Sequence, residues 1–184
     1  MYRDNSIIMK SIFNPFPTIS TERLILRETA RNDLESILFL RSDPEVNKFI
    51  KRDTPVNLHD AEVFLNKIIK GMENEVNVNW AITLREEPSM IGSICLWNFS
   101  ADRKTAEIGY DLHTAFQNRG IMSEAMGAVV NYGFKQLNLD EIVAYTHCEN
   151  ISSRHLLTKC GFILMPELRD EDNQDNRIFS LKKS

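Results

Sequence analysis

Ala106-Glu107-Ile108-Gly109-Tyr110-Asp111-Leu112, followed shortly by Gln117-Asn118-Arg119-Gly120-Ile121-Met122-Ser123, is the stretch from which the rest of the chain can be ordered. The first segment reads as a strand. After the second, apolar residues fall at Met122, Ala125, Met126, Val129, Val130, Phe134 and Leu137, the spacing of one helix face. A strand that turns through a glycine-bearing loop into a helix aims free backbone N–H groups and the helix dipole at one point. That point suits a phosphate or pyrophosphate.

Working outward, the preceding chain gives a strand around Leu24 and Leu26, then a helix capped by Asn32-Asp33 that carries Leu34, Ile37, Leu38 and Leu40. Asp43-Pro44-Glu45 opens a short second helix with proline at its first position. A third helix runs from Asn57 through Ala61, Phe64, Leu65, Ile68 and Ile69 and is expected to stop near Gly71. Strands are expected over 78–84 and 90–99, with a turn at Glu86-Glu87-Pro88-Ser89 between them. Downstream the reading is strand 141–147, helix 150–160, strand 162–165, a polar turn over 169–176 and a last strand 177–181. Residues 1–20, with Asn14-Pro15-Phe16-Pro17, read as an extended N-terminal arm. The order describes a mixed α/β domain over 21–184, with a central twisted mixed sheet of about seven strands flanked by helices.

Composition bounds the function. The chain has 184 residues, 26% of them charged and 42% hydrophobic, with a net charge of -4. That acidic balance argues against nucleic acid as the main partner, because phosphate backbones demand a basic face. No apolar run approaches the length of a membrane helix, and the first ten residues do not read as a signal peptide. Three widely spaced cysteines, Cys95, Cys148 and Cys160, suggest reduced thiols and a cytoplasmic protein. His59, His113, His147 and His155 show no metal-ligand spacing, so no metal is expected. Trp80 and Trp97 read as core or pocket wall, and Tyr110 or Tyr145 could border the cleft.

The loop is neither a Walker loop, which ends in Gly-Lys-Ser/Thr, nor a dinucleotide fingerprint with three glycines. A second element narrows the choice. In Asn150-Ile151-Ser152-Ser153, Asn150 reads as a helix cap, and in Lys159-Cys160-Gly161-Phe162 the glycine ends that helix. Together with Thr21-Glu22-Arg23-Leu24-Ile25-Leu26-Arg27, Ser42-Asp43-Pro44-Glu45-Val46, the strand at Glu107 and Arg119-Gly120-Ile121-Met122-Ser123-Glu124-Ala125, these segments resemble the GNAT superfamily of acyl-CoA-dependent N-acetyltransferases. More narrowly, they are similar to the branch containing the ribosomal-protein N-terminal acetyltransferases, over nearly the whole length.

The resemblance implies a coenzyme A site and acetyl-CoA as co-substrate. The backbone from Gln117 through Asn118, Arg119, Gly120 and Ile121 to Met122, with Ser123 following, would hold the pyrophosphate. The pantetheine would pair with the main chain ending at Leu112, in a cleft where two parallel strands splay apart, and Asn150 would meet the pantetheine. Met122 stands where the general motif has glycine or alanine, although this branch also carries methionine there. Homodimers occur in the branch; nothing in the sequence demonstrates one here.

Direct attack on a thioester needs a neutral amine, so a base must take a proton, and a donor at the leaving sulfur would help. Glu107 is the first candidate base; the Asp170-Glu171-Asp172 turn is the rival, and the ordinary alternative for each is a solvated carboxylate. The tyrosine that many superfamily members use as acid is replaced by Leu157. Ser153 matches the serine that takes this role in the ribosomal-protein branch; it could equally be a first-turn helix serine. The function expected is acetyl transfer to a primary amine, a protein N-terminus or a small molecule. The alternative is a non-catalytic acyl-CoA-binding module. A phosphotransferase is disfavoured by the missing Lys-Ser/Thr pair.

Overall fold

The computed structural model describes residues 12–184, so residues 1–11 of the expected arm lie outside the described residues. In chain order the elements are β1 (Ile19–Ser20), β2 (Leu24–Glu28), α1 (Leu34–Ser42), α2 (Pro44–Asn47), α3 (Leu58–Glu73), β3 (Asn77–Leu84), β4 (Glu87–Trp97) and β5 (Thr105–Leu112). They continue as α4 (Ile121–Lys135), β6 (Glu141–His147), α5 (Ile151–Lys159), β7 (Ile163–Leu164) and β8 (Asn176–Lys182). The strands form one mixed sheet in the order β1-β2-β3-β4-β5-β6-β8-β7, eight strands where about seven were expected. The addition is β1, whose two residues pair with Ile25 and Leu26. A strand that short has no period to read.

Every neighbouring pair is antiparallel except β5 and β6, which run parallel across the α4 crossover. The sheet separates two apolar layers. On one face Val78, Trp80, Ile94, Leu96 and Ile108 pack with Met122, Met126 and Val129 of α4 and Leu157 of α5. On the other, Ala81 and Met90 meet Ile37, Leu40, Val46, Ala61 and Leu65 from the first three helices. Alternation along β3 makes the division: Trp80 and Ile82 point one way and Ala81 the other. Trp80 is the largest fully buried side chain, and its Nε1–H is satisfied by Pro17 O at 2.7 Å. Trp97 is a strand residue too, but it stands 47% exposed and belongs to no core.

Three local expectations are corrected. The third helix does not stop at Gly71 but runs on to Glu73, and the left-handed residue past its end is Glu75, at φ 58. What Gly71 supplies is room: a Cβ there would stand 1.8 Å from Asn77 Nδ2. The β3–β4 turn is Arg85-Glu86, and Glu87 and Pro88 already belong to β4. Asp33 does not cap α1 through its side chain. Its carboxylate accepts two bonds from Arg27, at 2.8 and 2.7 Å, and one from Ala30 N at 2.8 Å. A bidentate charge-assisted pair outcompetes a single cap bond.

Candidate active site

The parallel pairing of β5 with β6 covers only Thr105↔Glu141, Ala106↔Ile142 and Glu107↔Val143. Beyond that register both strands continue, β5 to Leu112 and β6 to His147, without pairing to each other. The sheet therefore opens into a V with Glu107 and Val143 at its apex. Main-chain groups on the inner edges of the V can meet an extended ligand that inserts between the strands, although Leu112 O already accepts Gln117 Nε2 at 3.0 Å.

The mouth of the V faces the 117–123 loop. After β5, a short turn at Thr114–Phe116 leads to Asn118 at φ 58 and Gly120 at φ 74, and α4 begins at Ile121. Gly120 takes the left-handed conformation that glycine adopts without steric cost. Among the described residues, the backbone N–H groups from 118 to 123 have no partner; Glu124 N is the first to bond back, to Gly120 O at 3.1 Å. The loop is tied down from outside. Glu124 accepts Thr21 Oγ1 at 2.6 Å, Arg23 N at 2.8 Å and Arg23 Nε at 2.6 Å, while Arg23 Nη1 donates to Arg119 O at 2.9 Å. Burial works against ionisation of Glu124, yet these donors hold its carboxyl below the usual range. The Thr21–Arg23 and Arg119–Glu124 segments, far apart in sequence, are thus one clamp on a set of unpaired N–H groups.

Loop and V share a cleft of about 550 Å³. Of the residues expected to bind the donor, Leu112, Gln117, Asn118, Gly120, Ile121, Met122, Ser123 and Asn150 line it. Arg119 does not; its guanidinium lies 5.6 Å over the Phe116 ring and its carbonyl is held by Arg23. Ser153 also lines the cleft, whereas Glu107 stands beyond it at the apex. The far wall comes from Val46, Lys48, Phe49 and Ile50. Asn150 caps α5, with Oδ1 accepting Ser153 N at 3.1 Å, and its Nδ2 has no partner among the described residues. Replacing Asn150 by alanine is expected to cost about 1 kcal/mol in thermal unfolding. Asn150→Ser should keep a capping oxygen without adding charge, so affinity for acyl-CoA that it loses reports the amide N–H₂.

Glu107 is half-buried, and burial pushes its carboxyl above the ordinary range. A hydrogen bond from Asn98 Nδ2 opposes the shift, and the nearby charge of Asp170 adds to it. Asp170, from the rival turn, thus acts on the same spot, although its own oxygen Oδ2 is engaged by Asn176 Nδ2 at 2.7 Å. Tyr110, expected only as a possible border of the cleft, and Thr146, to which the sequence assigns no part, both hydrogen-bond to Ser153 Oγ, at 2.7 and 2.8 Å. The signal was present in β5: Ala106, Ile108 and Tyr110 alternate toward the α4–α5 layer, which puts the phenol beside the α5 serine.

A mixed sheet opened between parallel strands, with unpaired N–H groups at a helix N-terminus across the mouth, suits an extended ligand that carries a phosphate group. Residues 23–163 match the acetyltransferase (GNAT) domain family. The chain is 30% identical over 173 residues to the uncharacterized N-acetyltransferase YoaA of Bacillus subtilis (strain 168), covering 91% of this chain and 98% of that one. It is 33% identical over 79 residues to the ribosomal-protein-serine acetyltransferase of Escherichia coli (strain K12), covering 43% and 44%. A GNAT-family acetyltransferase structure from Bacillus anthracis superposes with a TM-score of 0.75 at 26% identity, covering 90% of this chain and 98% of that one. The protein belongs to the GNAT family of acetyl-CoA-dependent N-acetyltransferases. Among the described residues no cluster of His, Cys, Asp or Glu could hold a metal, and no helix is long and apolar enough to cross a membrane.

Proposed function

We propose that this enzyme moves the acetyl group of acetyl-CoA onto a primary amine, either a protein N-terminal α-amine or a small-molecule amine, by direct attack on the thioester within one catalytic domain, residues 21–184. The observation that carries this reading is the end of β5–β6 pairing at Glu107↔Val143, which opens the sheet toward the unpaired N–H groups of the loop. In this reading those N–H groups, with the α4 dipole behind them, take the pyrophosphate. Leu112 and Asn150 take the pantetheine, and the thioester reaches toward the apex.

The acceptor nitrogen must be neutral to attack, and an amine with a pKa of about 7.7–10.4 arrives largely protonated. Glu107, at the apex, takes that proton directly or through a water. As the N–C bond forms and the C–S bond breaks, negative charge collects on sulfur, on the side of the cleft where Ser153 stands. Support for a peptide acceptor comes from the relative named as a ribosomal-protein-serine acetyltransferase, which aligns over part of the chain.

The test is release of CoA from acetyl-CoA across a panel of α-amino peptides, lysine peptides, polyamines and aminoglycosides. Turnover on one class with mass gain of one acetyl group on the acceptor is the expected result. Tight acetyl-CoA binding with no turnover on any amine would instead describe a non-catalytic binding module.

A further inference from the structure

Three hydroxyl groups from three elements meet beside the cleft. Thr146 on β6 donates its Oγ1–H to Ser153 Oγ on α5 at 2.8 Å, and Ser153 Oγ lies 2.7 Å from Tyr110 OH on β5. Thr146 is buried and does not line the cleft; Ser153 and Tyr110 both do. The Ser153 backbone is itself pinned by the Asn150 cap. Three hydroxyl protons serve two hydrogen bonds, so one proton is left over. Thr146 has spent its own, and the spare therefore sits on Ser153 or Tyr110, at the cleft surface in either case.

Acidity decides between the two. A phenol is a far stronger donor than an aliphatic alcohol, so the favoured arrangement has Tyr110 donating to Ser153. Ser153 Oγ then accepts two hydrogen bonds and is left with one direction for its own O–H, out into the cleft. Accepting two bonds also polarises that O–H, because donors in a chain strengthen one another. The arrangement has no other evident use: the residues are held already by the sheet, the cap and the apolar layer.

Resting on the acyl-transfer reading above, we propose that Thr146 and Tyr110 are positioning residues that aim the Ser153 hydroxyl at the departing sulfur, so that Ser153 stabilises the CoA thiolate by donating a hydrogen bond without giving up its proton. The bookkeeping closes without a proton from the triad. Glu107 takes one proton from the incoming ammonium and passes it to solvent, and the neutral nitrogen bonds to the acetyl carbon. The C–S electron pair leaves with sulfur, the second proton lost from nitrogen as the amide forms goes to Glu107, and the thiolate is protonated by solvent on release. Burial pushes the Tyr110 phenol up to about 12, so it remains a protonated donor throughout the working range. A leaving thiolate, whose conjugate acid titrates near the ~8.5 of a cysteine, is too weak a base to strip that phenol.

The experiment reads the thiol directly and needs no acceptor. CoA is titrated with pH on the enzyme, following thiolate ultraviolet absorbance as a difference against the free protein, whose 3 cysteines contribute to both. The bound thiol is expected to titrate about one unit lower than free CoA, the scale of one hydrogen bond to an anion. Ser153→Ala should abolish the shift; Tyr110→Phe and Thr146→Val should each remove part of it, and Thr146→Ser should restore it. In turnover, Tyr110→Phe and Thr146→Val should lower kcat while leaving KM for acetyl-CoA unchanged. CoA that binds with an unshifted thiol, or a full shift that survives in both Tyr110→Phe and Thr146→Val, overturns the proposal and leaves the acyl-transfer reading standing. A protein that does not bind CoA at all sinks both.

Discussion

Glu107→Gln lowers kcat about a hundredfold or more and leaves KM for acetyl-CoA within about twofold, the loss expected when a positioned base is removed without disturbing donor binding. The substitution is chosen for its shape. Glutamine keeps the volume at the β5–β6 apex, and its amide oxygen can still accept from Asn98 Nδ2. The pH profile gives a second readout. Burial is the largest influence on Glu107 and raises its pKa; the Asn98 bond opposes this and Asp170 adds to it. The base is the ionised form, so kcat/KM should climb with pH through a pKa above the ordinary carboxylate range. In Glu107→Gln that limb disappears and only the ionisation of the amine remains. Asp170→Asn removes a repelling negative charge, makes Glu107 easier to ionise, and should slide the limb to lower pH with kcat retained. If Asp170→Asn loses turnover and Glu107→Gln does not, the base lies in the 170–172 turn.

Much of this arrangement is legible in the sequence, for reasons that differ by element. The α4 helix follows from the Met122, Ala125, Met126, Val129 spacing, because those positions face the sheet and no others on that helix are as buried save Ile121 and Gly133. Strand β6 follows from a β-branched run bounded by polar residues. The clamp between Arg23 and Glu124 was visible only as two motifs that keep company; nothing local to either announces that a carboxylate on a helix satisfies a strand backbone about a hundred residues earlier. Side-chain direction was the harder quantity. Strand alternation leaves two choices of face, and Tyr110 reaches Ser153 because Ala106 and Ile108 claim the α4–α5 layer. Asp33 and Gly71 depart from their expected use for the same reason: each has a stock local use, capping or helix termination, and each is instead taken by a residue of a neighbouring strand, Arg27 of β2 and Asn77 of β3.

The Val46–Ile50 wall of the cleft rests on a buried charge whose removal should be costly. Asp111, near the end of β5, is buried and accepts Arg52 Nη1 at 3.0 Å and Ser93 Oγ at 2.7 Å. Arg52 also donates to Asn47 Oδ1 at 2.6 Å and Leu40 O at 2.8 Å, so one guanidinium joins the sheet to α1 and the segment after α2. A second cation is close. Burial, and then the charge of Arg52, lower the Arg41 guanidinium to about 10, and Asp111 opposes that shift. Asp111 is therefore the direct counter-ion of Arg52, and it shares the compensation of the part-buried Arg41 with Asp53. Asp111→Ala leaves the Arg52 guanidinium without its carboxylate, and a loss of about 3 kcal/mol is expected, at the low end for a broken buried pair because Arg52 retains some solvent contact. In a chain of this size that is a fall in Tm of about 10 °C. Adding Arg52→Met to Asp111→Ala removes the stranded cation and should recover part of the loss, giving a coupling above about 1 kcal/mol in the double-mutant cycle. The same tether holds the Val46–Ile50 wall against the V, so the folded fraction of Asp111→Ala should show a raised KM for the amine with acetyl-CoA affinity little changed. A variant with unchanged Tm would mean that water, and not Asp111, already screens the Arg52 guanidinium.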